Sequence, residues 1–169
     1  KYDANGYPLT IIDPNGVETD LAYDARQRLI SRTVAGATTA FGYDAVGNLL
    51  KVTLPTGAYL QYSYDAAHRL TGIADNLGNT ITYTLDALGN RTESQTKDSS
   101  SNVARSLQRV YNNLNQLQKR IGGAGQTIAD ADDLLGNPTS ITDPMGHVTS
   151  QSFDALSRLA SVVDPANGT

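Results

Sequence analysis

Apolar and polar residues alternate along this chain in short runs, with turn-forming residues between them. Val17, Thr19, Leu21 and Tyr23 fall on one parity, and Glu18, Asp20 and Ala22 on the other. Ile81, Tyr83 and Leu85 alternate in the same way with Thr80, Thr82 and Thr84. Side chains at i and i+2 of a strand point to one side, so each run predicts a strand with an apolar and a polar face. The Thr and Ser on the polar faces still favour strand geometry. Runs of about six residues match the usual strand length. With 15 Gly and many Ser and Thr, the chain predicts frequent turns and no long helix.

The runs belong to a tandem repeat. Its register is carried by a dipeptide at the end of every second strand: Tyr2-Asp3, Tyr23-Asp24, Tyr43-Asp44, Tyr64-Asp65, Leu85-Asp86, Tyr111-Asn112, Asp132-Asp133 and Phe153-Asp154. The steps between them are 21, 20, 21, 21, 26, 21 and 21 residues. Eight copies at so even a step predict a repeat architecture, in which each unit buries its apolar face against its neighbours.

Each unit reads as turn, strand, turn, strand. The first turn is Asp-Ala-x-Gly-Asn or a relative, as in Asp44 to Asn48. The second is Asp-Pro-x-Gly, as in Asp13 to Gly16 and Asp143 to Gly146, with Gly57 and Gly78 closing related turns. Pro presets φ at the second position, Gly supplies the left-handed residue, and the leading Asp accepts backbone amides ahead of it. Between the two turns a β-branched residue recurs, as Ile11, Val52, Ile73, Ile141 and Val162. About sixteen strands follow, two per unit, at the spacing of an all-β array. Only 94–103 departs. It lacks apolar periodicity, falls in the 26-residue step, and reads as a mobile extended hairpin loop.

Taken together, the Tyr-Asp dipeptides, the Leu that follows each turn, and the intervening Asp-Pro-x-Gly resemble the Rhs/YD-repeat family along the whole chain. That resemblance implies a β-sheet ribbon which, in bacterial Rhs proteins and toxin-complex subunits, spirals into a hollow shell around a toxic C-terminal domain. Teneurins of animal cell surfaces carry a similar shell. Family shells use many more than eight repeats, so residues 1–169 are expected to form an arc of wall, truncated at both ends. The family's self-cleaving region follows its repeats and carries clustered glycines beside an Asp motif. Residues 121–133 have the glycines but lie inside the array without that motif, so neither self-cleavage nor toxicity is assigned to this chain.

Charge and composition exclude several other classes. A net charge of −4 with scattered bases gives no basic patch for nucleic acid or anionic lipid. Without cysteine there are no disulfides or thiolate metal sites, and the redox compartment stays open. No apolar run of about 18 residues is present to span a membrane. The recurring Asp residues could suggest calcium, which wants six to eight oxygens. Each turn offers only one or two carboxylates, so turn stabilisation is the reading adopted. His68 and His147 stand far apart in turns, without metal-ligand spacing. No Gly-x-Ser-x-Gly marks a nucleophile. Tyr23, Tyr43, Tyr62, Tyr64 and Tyr83 form either a sugar-stacking ladder or cross-strand packing between units, and packing is preferred.

The expected fold is therefore all-β: tandem antiparallel β-hairpin repeats in a curved single-layer ribbon, an arc of a hollow β-shell. A propeller of four-stranded blades is the runner-up. The expected function is a non-catalytic shell segment, with no cofactor and no metal, secreted by or displayed on a bacterium. Its partners would be neighbouring repeats and an enclosed toxin domain. A surface adhesion or carbohydrate-binding module is the alternative, and open strand edges predict self-association.

Overall fold

The computed structural model describes residues 1–165; residues 166–169, the end of the expected array, lie outside the described residues. All regular structure among the described residues is β, in fifteen strands without a helix. The place for a sixteenth strand, the second of the eighth repeat, falls outside them.

The chain divides into two compact units, Lys1–Thr80 and Ile81–Thr169. The first contains β1 (Thr10–Ile12), β2 (Glu18–Tyr23), β3 (Leu29–Val34), β4 (Ala37–Tyr43), β5 (Leu49–Thr53), β6 (Tyr59–Tyr64) and β7 (Leu70–Asp75). Each pairs antiparallel with the next in chain order. An isolated bridge between Tyr2 and Pro8 precedes them. β8 (Thr80–Leu85) begins at the division.

In the second unit, β9 (Arg91–Lys97), β10 (Val103–Tyr111), β11 (Leu117–Gly122), β12 (Thr127–Asp132), β13 (Pro138–Thr142), β14 (Val148–Phe153) and β15 (Leu159–Val163) follow the same rule. Seven strands pair without interruption in each unit, so the four-stranded blades of a propeller do not form. The segment expected as a loop, 94–103, is instead half strand. β9 runs on to Lys97, β10 starts at Val103, and only Asp98–Asn102 turns. Its polar composition concealed a hairpin longer than its neighbours.

Register settles which side chains share a face. Tyr23 pairs with Leu29, Tyr43 with Leu49 and Tyr64 with Leu70, while Val52 pairs with Phe41 and Ile73 with Tyr62. One side of the first unit is thus mainly aromatic and aliphatic, with Arg32 and Thr39 among its residues. The other carries Ser31, Thr33, Thr38, Lys51 and Gln61, among other polar and small residues. No hydrophobic residue among those described is buried. These are layers one sheet thick, held by backbone ladders and by cross-strand pairs worth about 0.2–1 kcal/mol each, rather than by a closed core.

A bulge recurs beside every Tyr-Asp turn whose register is known. Ala22 pairs with Ser31 but Tyr23 with Leu29, leaving Ile30 as an extra residue on β3. Leu50, Thr71, Gln118, Thr139 and Ala160 occupy the same place in later units. An extra residue on one strand bends it and raises the local twist, here once per repeat on the same side of the hairpin.

Candidate functional site

The chemistry-bearing residues of the sequence converge on the row of Tyr-Asp turns. In each turn the chain reverses over five residues. The Asp24 amide donates to the Arg28 carbonyl at 2.9 Å, and the Gln27 amide donates to the Asp24 carbonyl at 2.9 Å. The same two bonds recur from Asp3, Asp44, Asp65, Asp86, Asn112, Asp133 and Asp154. The fourth residue is left-handed, which suits Gly47 (φ 109°) but strains Gln27 (63°), His68 (61°), Asn115 (67°) and Ser157 (57°). This is the hairpin built from a type I turn followed by a left-handed residue.

The Asp side chain closes the loop from inside. Asp24 Oδ1 accepts the Arg26 amide at 2.8 Å and the Arg28 amide at 3.0 Å, while Oδ2 accepts Arg28 Nε at 2.7 Å. Asp65 with Arg69 and Asp154 with Arg158 repeat this arrangement. Where Asn stands at the fifth place its amide takes over the role, as Asn48 on Asp44 at 2.7 Å and Asn137 on Asp133 at 2.8 Å. In the first turn Asp3 Oδ1 accepts the Asn5 and Tyr7 amides at 2.9 and 2.8 Å. The opposite row of turns uses the same device at Asp75–Asn79, Asp98–Asn102 and Asp143–His147. Gly16, Gly57, Gly78 and Gly146 are the left-handed residues of that row, at φ 80–89°.

Donors at both oxygens hold these carboxyls below the usual Asp range. At Asp24, Asp65 and Asp154 the leading cause is the backbone amide of the fifth-place Arg. At Asp75, Asp86, Asp98 and Asp133 it is the Asn side chain, and at Asp143 the His147 ring. At Asp44 burial pushes upward most strongly, but the Asn48 side chain and three backbone amides outweigh it. The carboxylates are engaged by their own loops rather than aimed together, and among the described residues no group of three or more His, Asp or Glu could hold a metal.

Successive turns are fastened to one another. Arg28 Nη1 donates to the Asp44 carbonyl at 2.9 Å, and its guanidinium lies 4.7 Å from the centre of the Tyr43 ring. The Tyr43 hydroxyl donates to the Leu29 carbonyl, and the Tyr64 hydroxyl to the Leu49 carbonyl, each at 3.0 Å. Burial is the main cause raising the Tyr64 hydroxyl above its ordinary value. Tyr7 and Tyr23 meet at 5.4 Å, Asn48 touches His68 Nδ1 at 3.0 Å, and Arg26 reaches the Ala45 carbonyl. In the second unit Asn90 meets Asn115, and Arg91 covers the Tyr83 ring at 3.6 Å. A guanidinium group therefore lies over the ring of Tyr43 and another over the ring of Tyr83.

Tyr2 makes the bridge to Pro8, Leu85 ends β8 before the Asp86 turn, Tyr111 pairs with Leu117, and Phe153 pairs with Leu159. Sequence reading missed the fifth-place partners, although an Asp followed four residues later by Arg or Asn recurs along the chain. It also missed the bulge, and a cluster of Arg109, Arg120 and Asp130 that only strand register brings together.

The sequence pattern of the RHS repeat matches residues 2–39, 43–80, 64–101 and 133–169. No curated protein matches the chain. Among solved structures, the chain superposes on the TcdB2-TccC3-Cdc42 crystal structure with a TM-score of 0.78 at 20% identity, covering 95% of this chain and 10% of that one. TcdB2-TccC3 without its hypervariable C-terminal region gives the same values. The Photorhabdus luminescens Tc holotoxin pore gives 0.67 at 19% identity, with the same coverage. This chain thus spans about a tenth of the length of the chains it matches. Three of the four matched segments open on Tyr2, Tyr43 or Tyr64, and the fourth opens on Asp133 of the same turn series. By these turns, and by matches over most of its length, the chain belongs to the RHS repeat family.

Proposed function

We propose that this chain is a non-catalytic length of wall in an RHS-repeat shell that encloses a toxin or effector polypeptide for delivery from a bacterium. The observation carrying this reading is the combination of unbroken hairpin pairing with the absence of a buried hydrophobic core among the described residues. A sheet one layer thick has two accessible faces, and its apolar Tyr face needs something to cover it. The repeats extend the layer strand by strand, so an array of this kind builds area rather than a compact body. Similarity to TcdB2-TccC3 structures supports the reading. Confinement is the mechanism: a hydrogen-bonded wall keeps a polypeptide from solvent and proteases until the wall opens.

Limited proteolysis of the native protein that carries this array tests the reading. The enclosed segment should resist a protease that digests it once the array is unfolded. Equal cleavage rates before and after unfolding would reject confinement.

A further inference from the structure

The Tyr-Asp turns of the second unit carry leucine at their third place. Leu88, Leu114, Leu135 and Leu156 occupy it in four successive turns, and Leu134 stands beside Leu135. These five residues are 64–93% exposed. The three central residues of each of these turns are all exposed and uncharged. The leading Asp86, Asp133 and Asp154 are engaged within their own loops.

The turn itself does not require leucine. Its third residue contributes a backbone amide, which Leu114, Leu135 and Leu156 each donate to the first-place side chain at 2.9 Å. Asn5, Arg26 and Ala67 make the same bond from the same place in the first unit, and Ser100 makes it in the opposite row. The leucines are therefore surplus to folding. The turns that carry them stand in line. Asn90 meets Asn115, and Gln116 Nε2 lies 3.4 Å from where a Cβ on Gly136 would stand, so the fifth place of one turn abuts the fourth of the next. Successive turns are two strands apart, about 9–10 Å, which makes an apolar row roughly 30 Å long. It exposes on the order of 650 Å² of leucine, against the roughly 800 Å² that each partner brings to a standard interface.

We propose that this leucine rim is a contact surface between two copies of the chain, packed rim to rim with their rows antiparallel. A twofold axis between Leu114 and Leu135 sets Leu114 of each copy against Leu135 of the other, and Leu88 against Leu156. An evenly spaced row is its own complement under such an axis. Its uncharged centre meets itself without repulsion and offers a charged partner nothing to pair with. The rim crosses strand ends, so strand addition at β15 leaves it free. The inference does not rest on the confinement reading.

Sedimentation velocity of the whole chain carrying Val162→Lys, which blocks strand addition at β15, tests the proposal. A concentration-dependent dimer should remain. Leu114→Arg with Leu135→Arg should weaken it at least about tenfold, and Leu114→Ser with Leu135→Ser should weaken it measurably. Arg26 and Ser100 already hold this place elsewhere, so both double variants keep the turn. Ala67→Arg, at the same place outside the row, should leave the dimer unchanged. Because the chain has no native cysteine, Leu114→Cys and Leu135→Cys chains mixed in equal amounts should form disulfides with each other in preference to themselves. A monomer at every concentration, including one that instead floats with neutral phosphatidylcholine vesicles, would overturn the proposal. So would a dimer indifferent to both double variants, equal weakening by Ala67→Arg, or disulfides without that preference.

Discussion

Arg28 and Asp44 belong to successive turns, and Arg28 Nη1 donates to the Asp44 carbonyl at 2.9 Å while Arg28 Nε holds Asp24 Oδ2 at 2.7 Å. One side chain therefore closes its own turn, fastens the next, and covers the Tyr43 ring. Arg28→Ala should lower the melting temperature by about 2–4 °C, the shift expected for a loss near 1 kcal/mol in a chain of this size. Tyr43→Phe, which removes only the hydroxyl bond to the Leu29 carbonyl, should cost about 1 kcal/mol. Thermal unfolding of the first variant and chemical denaturation of the second check these values.

Left-handed residues give a second prediction. Gln27 and Gly47 hold the same place in neighbouring turns, at φ 63° and 109°. A left-handed L-residue costs roughly 1–2 kcal/mol. Gln27→Gly should therefore stabilise the chain by up to about 1 kcal/mol, since Gly also gains freedom in the unfolded chain. Gly47→Ala should destabilise it by about 1–2 kcal/mol. A Cβ at Gly47 would meet nothing within 4 Å, so the cost is conformational rather than steric. Opposite signs in the two denaturation midpoints would bear this out, and equal signs would not.

Acid should loosen the turns. Nine turn aspartates, from Asp24 to Asp154, have carboxyls held below the ordinary value of 3.8. A carboxyl whose folded value is depressed stabilises the fold above its unfolded value and loses that contribution as pH falls through the folded one. Melting temperature should thus be flat in this respect at neutral pH and should fall once pH drops below about 4. Asp44→Asn together with Asp65→Asn should flatten that acid limb. A chain whose stability rises below pH 4 would contradict the turn account.

Open edges should promote association. All five residues of β15, Leu159–Val163, are exposed, and β15 pairs only with β14 among the described strands. Unpaired strand edges recruit further strands, and a charge on the edge blocks them. Sedimentation velocity should show concentration-dependent association of the chain, reduced in Val162→Lys. A monomer across the whole concentration range would contradict this.

What the sequence disclosed depended on locality. Turn and strand positions were legible because each unit repeats them, with Gly47, Gly57 and Gly146 marking left-handed residues and Tyr-Asp marking strand ends. Asp98–Asn102 makes the same turn, but Ser99, Ser100 and Ser101 gave it the look of a polar loop. The bulge left no trace because its extra residue is Ile30, Leu50, Thr71 or Gln118 in turn, and only backbone geometry unites them. Arg109, Arg120 and Asp130 lie on three strands, and their meeting follows from register alone.

The central claim is that consecutive hairpins lie side by side with their Tyr-Asp turns stacked in a row. Asn48 and His68 test it most directly, being 20 residues apart yet in contact at 3.0 Å in neighbouring turns. The chain has no native cysteine, so Asn48→Cys with His68→Cys introduces the only two thiols. A short bifunctional thiol reagent should join them rapidly and within one chain under native conditions, and much more slowly in urea. Equal rates in both conditions, or no native crosslink in a folded chain, would contradict the stacked array.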